Sequence, residues 1–199
     1  MDNVVVMPMQ PGETAVAATM LSHAFLGCPN TVAMGGGKGE NVRQCLEVVF
    51  RIAKLEKPFA NVIVARQVGR IVGACNAVEY PKCQGSPLAS LGVLPAMLKL
   101  GLGAMMRGMK VQAAMTKHHP REHHWHVGPI GVLPELQGKG IGSLLLTRSC
   151  EIVDERKAAA YLETDKPENV RLYERFGFVV IGETDVLGVH QWFMRRAPR

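Results

Sequence analysis

Ile130-Gly131-Val132-Leu133-Pro134-Glu135-Leu136-Gln137-Gly138-Lys139-Gly140-Ile141-Gly142-Ser143 joins a β-rich run to a helix expected over 138–156. Three glycines recur at every second position where that helix should open. Without a Cβ, successive backbone N–H groups can close around phosphate oxygens. The helix N-terminus adds unpaired donors and a partial positive charge. Lys139 contributes a full charge and Ser143 a hydroxyl, so Gln137, Gly138, Lys139, Gly140, Ile141, Gly142 and Ser143 form a candidate pyrophosphate cradle. A Rossmann loop reads G-x-G-x-x-G; this one reads G-x-G-x-G, so that dinucleotide fingerprint fails. Gly131, inside the preceding strand, is the kind of residue that marks a bulge.

Outward from this stretch, residues 124–132 read as its feeding strand. Residues 159–163 read as a strand, 168–176 as a short helix, and 178–183 and 190–194 as closing strands. Upstream lie a strand at 4–7 and a helix at 12–25, stopped by Gly27-Cys28-Pro29-Asn30. A helix at 41–54 carries Val42, Cys45, Leu46, Val49 and Ile52 on one side. Val68-Gly69 signals a hairpin between strands at 61–66 and 70–78. Gly35-Gly36-Gly37-Lys38-Gly39 is a loop, because no strand feeds it and the G-x-x-x-x-G-K-[ST] spacing is absent. The order predicts a mixed α/β fold, a central β-sheet with helices on both faces. It fits one domain over 1–199 with an apolar helical insertion at about 88–117.

With 47% hydrophobic and 20% charged residues in 199, a packed core is expected and disorder is not. The net charge of +6 comes from scattered Lys and Arg, which suits a small polyanion better than nucleic acid. Five cysteines without a C-x-x-C pair suggest reduced thiols and a cytoplasmic protein. Met1-Asp2-Asn3-Val4 carries no basic leader region. Residues 88–106 are apolar but contain Gly92, Pro95, Lys99, Gly101 and Gly103. Leu91, Leu94, Leu98 and Leu102 fit one face of a helix, so no membrane partner is expected.

Gln137-x-x-Gly140-x-Gly142 after I-G-V-x-P resembles the acyl-CoA signature of the GNAT (acyl-CoA N-acyltransferase) superfamily. Residues 124–196 further resemble its puromycin N-acetyltransferase subgroup, through G-V-L-P-E-L-Q-G-K-G-I-G-S, Tyr161-Leu162-Glu163-Thr164, Asn169, Tyr173-Glu174-Arg175-Phe176-Gly177-Phe178, Trp192 and Met194. The first 120 residues match only in element order. The resemblance implies the GNAT fold and acetyl-CoA as cosubstrate, without a metal. It implies that the backbone of Ile130, Gly131 and Val132 pairs with the pantetheine arm and the thioester carbonyl. Residues 137–143 would hold the pyrophosphate, Asn169 a pantetheine amide, and Tyr173 would protonate the departing thiolate. The strands bearing Ile130 and Tyr161 would splay apart, an opening that an amide-bearing arm can enter as an extra strand.

Amine acetylation requires a base with a pKa near the working pH. His118, His119, His123, His124 and His126 cluster within nine residues, and histidine suits the task. His124 and His126 would share a strand face and resemble the His-x-His pair of arylalkylamine-type acetyltransferases. Glu163 and Glu79, at strand ends, are further candidates. Metal is not expected, since four of the histidines are adjacent pairs and no nearby cysteine completes a zinc spacing. Cys150 lies within the helix after the glycines, which disfavours a covalent acyl-cysteine. The expected activity is direct acetyl transfer to a primary amine of a small molecule, by a monomer or homodimer. The alternatives are a protein or peptide acetyltransferase and a non-catalytic acyl-CoA sensor.

Overall fold

The computed structural model describes residues 4–56, 59–84 and 87–199, with side chains from 91 onward in the last stretch. The reading of residues 1–3 lies outside the described residues. Among the described residues seven strands form one sheet: β1 (Val4–Pro8), β2 (Asn61–Gln67), β3 (Arg70–Glu79), β4 (Trp125–Val132), β5 (Ala160–Thr164), β6 (Val179–Val186) and β7 (Val189–Arg196). They lie in the order β1-β2-β3-β4-β5-β7-β6. Only β4 and β5 run parallel; every other neighbouring pair is antiparallel. The mixed sheet expected from the sequence is the one observed.

The helices are α1 (Thr14–Phe25), α2 (Pro29–Gly35), α3 (Glu40–Val49), α4 (Pro87–Lys99), α5 (Leu102–His118), α6 (Ile141–Glu155) and α7 (Pro167–Arg175). A π-helical turn, Phe50–Leu55, continues α3. Two glycines show how α1 and α6 sandwich the sheet. A Cβ on Gly131 would sit 2.7 Å from Leu21 and 3.1 Å from Ala24, both in α1. One on Gly73 would sit 3.0 Å from Leu145 in α6. Gly73 pairs with Val132 and Ala74 with Gly131. Adjacent strand positions face opposite sides, so α1 and α6 cover opposite faces. Leu21, Val64, Leu145, Leu146 and Val153 are fully buried between them and the sheet, each side chain favouring the fold by about 1.5–3 kcal/mol.

Several expectations need correction. Gly131 is not a bulge: its missing Cβ lets α1 approach. The register instead slips between Cys75↔Ile130 and Ala77↔Val127, which places the extra residue of β4 at Gly128-Pro129, where the peptide is cis. Cys28-Pro29 does stop α1, yet Pro29 also opens α2, because proline is tolerated in a helix's first turn. α6 begins at Ile141 rather than 138, since Gly138 and Gly140 hold φ of +76° and +79°, outside helical geometry. The apolar insertion is two helices, parted at Gly101 with φ +84°. Its leucine row faces outward: Leu91, Leu94, Leu98 and Leu102 are exposed, while Val93, Ala104 and Val111 are buried. Among the described residues no helix is long and apolar enough to cross a membrane.

Candidate active site

Between β4 and β5 only two residue pairs face each other, Trp125↔Ala160 and His126↔Tyr161. Beyond them the strands have no mutual pairing, although β4 runs on to Val132 and β5 to Thr164. The β4 edge from residue 128 onward therefore offers backbone groups with no β5 partner, and such groups need one. That edge carries Ile130, Gly131 and Val132 and leads directly into the glycine loop. Gln137 Nε2 donates to the Val132 carbonyl at 3.0 Å, so this side chain ties the loop back to the strand. Gly138, Gly140 and Gly142 have no neighbour within 4 Å of a notional Cβ. Gly140 caps α6 without a side-chain acceptor, which leaves the first-turn amides available to an anion. Lys139 is exposed beside them and Ser143 half-buried in the first turn.

At the apex of the opening lies an ion pair, the buried His126 Nε2 to the half-buried Glu163 Oε2 at 3.0 Å. Burial works against the charged imidazole, but Glu163 and a bond to Cys83 outweigh it and raise the His126 pKa. Burial likewise pushes the Glu163 carboxyl up, and the facing His126 with Lys54 pulls it below the ordinary carboxylate range. The five clustered histidines divide in the fold. His118 stacks on Phe193 at 4.3 Å. His123 bonds Glu79 at 2.9 Å on the surface. His119, His124 and His126 instead gather around Tyr161, with ring centroids 4.9, 5.5 and 5.6 Å from it.

The family model described as the acetyltransferase (GNAT) family matches residues 38–178. The chain belongs to the acetyltransferase (GNAT) family. Solved structures repeat its fold. A histone acetyltransferase HPA2 and related acetyltransferase from Corynebacterium glutamicum is 21% identical, with a TM-score of 0.67 over 100% of this chain and 98% of that one. A polyamine N-acetyltransferase from Drosophila melanogaster is 19% identical, with a TM-score of 0.63 over 97% and 98%. A GNAT family acetyltransferase from Brucella melitensis, in complex with acetyl-CoA, is 16% identical, with a TM-score of 0.54 over 99% and 89%.

The remaining expected residues of this GNAT chain fall in three places. Asn169 and Tyr173 lie on α7, which follows β5. Asn169 Nδ2 bonds Thr164 Oγ1 at 3.1 Å, while Tyr173 is buried against Phe178, and burial raises its hydroxyl pKa. His124 is buried just before β4, its Nδ1 2.7 Å from the Glu122 carbonyl and its ring stacked on Tyr80. Glu79 stands apart, bonded to His123 and Lys82 at the surface. The sequence reading missed Asn76, Lys54 and Cys83, which with Val78, His126 and Gly128 line a cleft beside the apex. Asn76 Nδ2 donates to the Lys54 carbonyl at 2.8 Å, and its Oδ1 is buried without a hydrogen-bond partner among the described residues. A polar residue in the otherwise apolar run 71–78 was the available signal for it. Nothing local points to Cys83: burial raises its pKa, but the neighbouring imidazoles of His119, His124 and His126 bring it down to about 4.

Proposed function

We propose that this GNAT chain transfers the acetyl group of acetyl-CoA to a primary amine of a small molecule within a ternary complex. The observation that carries the reading is the parted β4–β5 edge running into the glycine loop, with the His126–Glu163 pair at its apex. The pantetheine arm pairs with the β4 edge at Ile130, Gly131 and Val132, as an added strand would. The pyrophosphate takes the amides of residues 138–143 at the α6 N-terminus, with Lys139 as counter-charge.

The amine approaches beside the cleft that holds Asn76; Asn76 Oδ1 and Glu163, paired with the cleft's His126, are two acceptors suited to its N–H donors. Its nitrogen attacks the thioester carbonyl, and the C–S bond breaks as the tetrahedral intermediate collapses. At rest Glu163 holds His126 protonated, so the imidazole first gives that proton to solvent and then, in its neutral form, receives the amine proton directly or through water. Tyr173 returns a proton to the CoA thiolate, and Asn169 holds the pantetheine amide. The fold-matched polyamine acetyltransferase and the puromycin-type likeness of residues 124–196 both support a small amine as acceptor. Lys54 in the same cleft disfavours a second positive charge there and thus a monoamine is preferred.

Thiol release from acetyl-CoA, measured across a panel of amines, tests this directly. Wild type should turn over at least one small monoamine. His126→Ala, Glu163→Gln and Tyr173→Phe should each lose at least about tenfold in rate, since acid–base groups give 10²–10⁴-fold. Tight acetyl-CoA binding without turnover on any amine points instead to a sensor. Turnover with all three variants within tenfold of wild type removes the assigned proton acceptor and donor.

A further inference from the structure

Three groups from separate segments meet beside Tyr161: the Cys83 thiol, the His119 imidazole and the His124 imidazole. One ligand atom from each lies within 4.8 Å of the other two. Cys83 Sγ is 3.7 Å from His119 Nε2. His119 Nδ1 is 3.1 Å from the Pro120 carbonyl and His124 Nδ1 2.7 Å from the Glu122 carbonyl. A carbonyl only accepts, so both Nδ1 atoms carry the proton, which leaves lone pairs on both Nε2 atoms. For His124, a side chain 1% exposed, that Nε2 has no hydrogen-bond partner among the described residues. A buried acceptor left unpaired is costly, and Tyr161 Oη beside it is likewise unpartnered among the described residues.

We propose that Cys83, His119 and His124 bind one divalent cation of the zinc class. One thiolate and two imidazoles are a borderline-soft donor set. Backbone carbonyls fixing the Nδ1–H tautomer are the outer support that metal-bound histidines use. Bond lengths of about 2.3 Å to sulfur and 2.0–2.1 Å to nitrogen put tetrahedral ligands about 3.3–3.6 Å apart. The Cys83–His119 separation is already close to that, and the rest, within 4.8 Å, need contract by at most about 1.5 Å. Adjacent histidines on a strand point apart; the fold solves this by using one from each pair and by bringing in a thiol from across the insertion. Cys83 precedes α4, His119 follows α5 and His124 precedes β4. The cation would therefore clamp both necks of the helical insertion against the sheet. The fourth position is open to water.

Cobalt(II) is the probe, added to full-length protein stripped by chelator dialysis, with no CoA present. The expected result is one cobalt per chain, with a thiolate-to-cobalt charge-transfer band that zinc bleaches on displacement. The other cysteines are buried, so the band should vanish in Cys83→Ser, and affinity should fall at least about tenfold in His119→Ala. Zinc should also raise the thermal midpoint of wild type and slow labelling of the half-buried Cys83 by a disulfide reagent. Wild-type protein that takes up no stoichiometric cobalt, or whose Cys83 labels equally fast with zinc, overturns the site. So does a band that persists in Cys83→Ser. Because no acetyl donor or amine is used, these outcomes are separate from those of the transferase assay.

Discussion

Val68 occupies a place where its side chain works against the backbone. With Gly69 it makes the two-residue turn between β2 and β3, and both have positive φ, +49° and +76°. The left-handed region costs an L-residue roughly 1–2 kcal/mol, less for asparagine, whose short polar side chain suits it. Val68 is 93% exposed, so replacement loses no packing. Val68→Asn should raise stability by about 1 kcal/mol, seen as a higher urea midpoint at unchanged slope; an unchanged or lower midpoint refutes the argument. This turn was legible in the sequence because its signal is local, a glycine between two β-rich runs. Lone polar residues are harder. His126 and Glu163 could be named as candidates because each stands on a recognisable strand beside the glycine loop. Cys83 could not, since its partners come 36 residues or more later in the chain and only the fold brings them together.

Elements are joined at a few points where a single pair does most of the tying. Arg196 of β7 is 3% exposed and makes a two-pronged contact with Asp154 of α6, at 2.6 and 2.8 Å, while its Nε donates to the Phe176 carbonyl after α7. Bonds from Arg196 hold the Asp154 carboxyl below its ordinary pKa, against a smaller opposing effect of burial. A carboxylate lowered in the folded state adds stability that is complete above its unfolded pKa of about 3.9 and fades as pH falls through the folded value. Asp154→Asn should therefore destabilise at neutral pH and lose part of the decline in stability below about pH 4. Removing one partner of a fully buried pair costs about 3–5 kcal/mol; with Asp154 a third exposed, about 1–3 kcal/mol is expected. Thermal midpoints of both proteins between pH 3 and 7 decide it, and parallel curves count against the pair. Elements with a clean period and a clear stop, such as α1 and α6, were legible to within a few residues. The break at Gly101 was not, because the leucine spacing continues across it, and spacing alone does not say which face is buried. The π-helical end of α3 has no sequence signature at all.

At the scale of the whole molecule, the sheet is two pieces held edge to edge by very little. Strands β1 to β4 are paired along most of their lengths, as are β5, β7 and β6, yet β4 and β5 share only two residue pairs. A parallel junction this short contributes few hydrogen bonds, so α2 against β7, α5 against β6, the Asp154–Arg196 pair between α6 and β7 and the side chains around Tyr161 must carry the rest of the contact. An extended arm lying along the β4 edge completes the missing pairing and bridges the two pieces. Acetyl-CoA should then act as a stabilising ligand, by about 2.7 kcal/mol when its concentration is a hundred times its dissociation constant. The protection should also be local before it is global. Amides of residues 128–132 and of 138–143 should slow markedly in hydrogen exchange, while the β2–β3 hairpin, already paired along its length apart from one slip at Ala65/Arg66, should change only through the overall gain in stability. Desulfo-acetyl analogues are unnecessary for the comparison, because CoA lacking its pyrophosphate-bearing half, as free pantetheine, separates the two regions. Pantetheine should protect 128–132 weakly and leave 138–143 unchanged. Equal protection across the sheet, or none at the β4 edge, would mean that the opening between β4 and β5 is not where the cofactor lies.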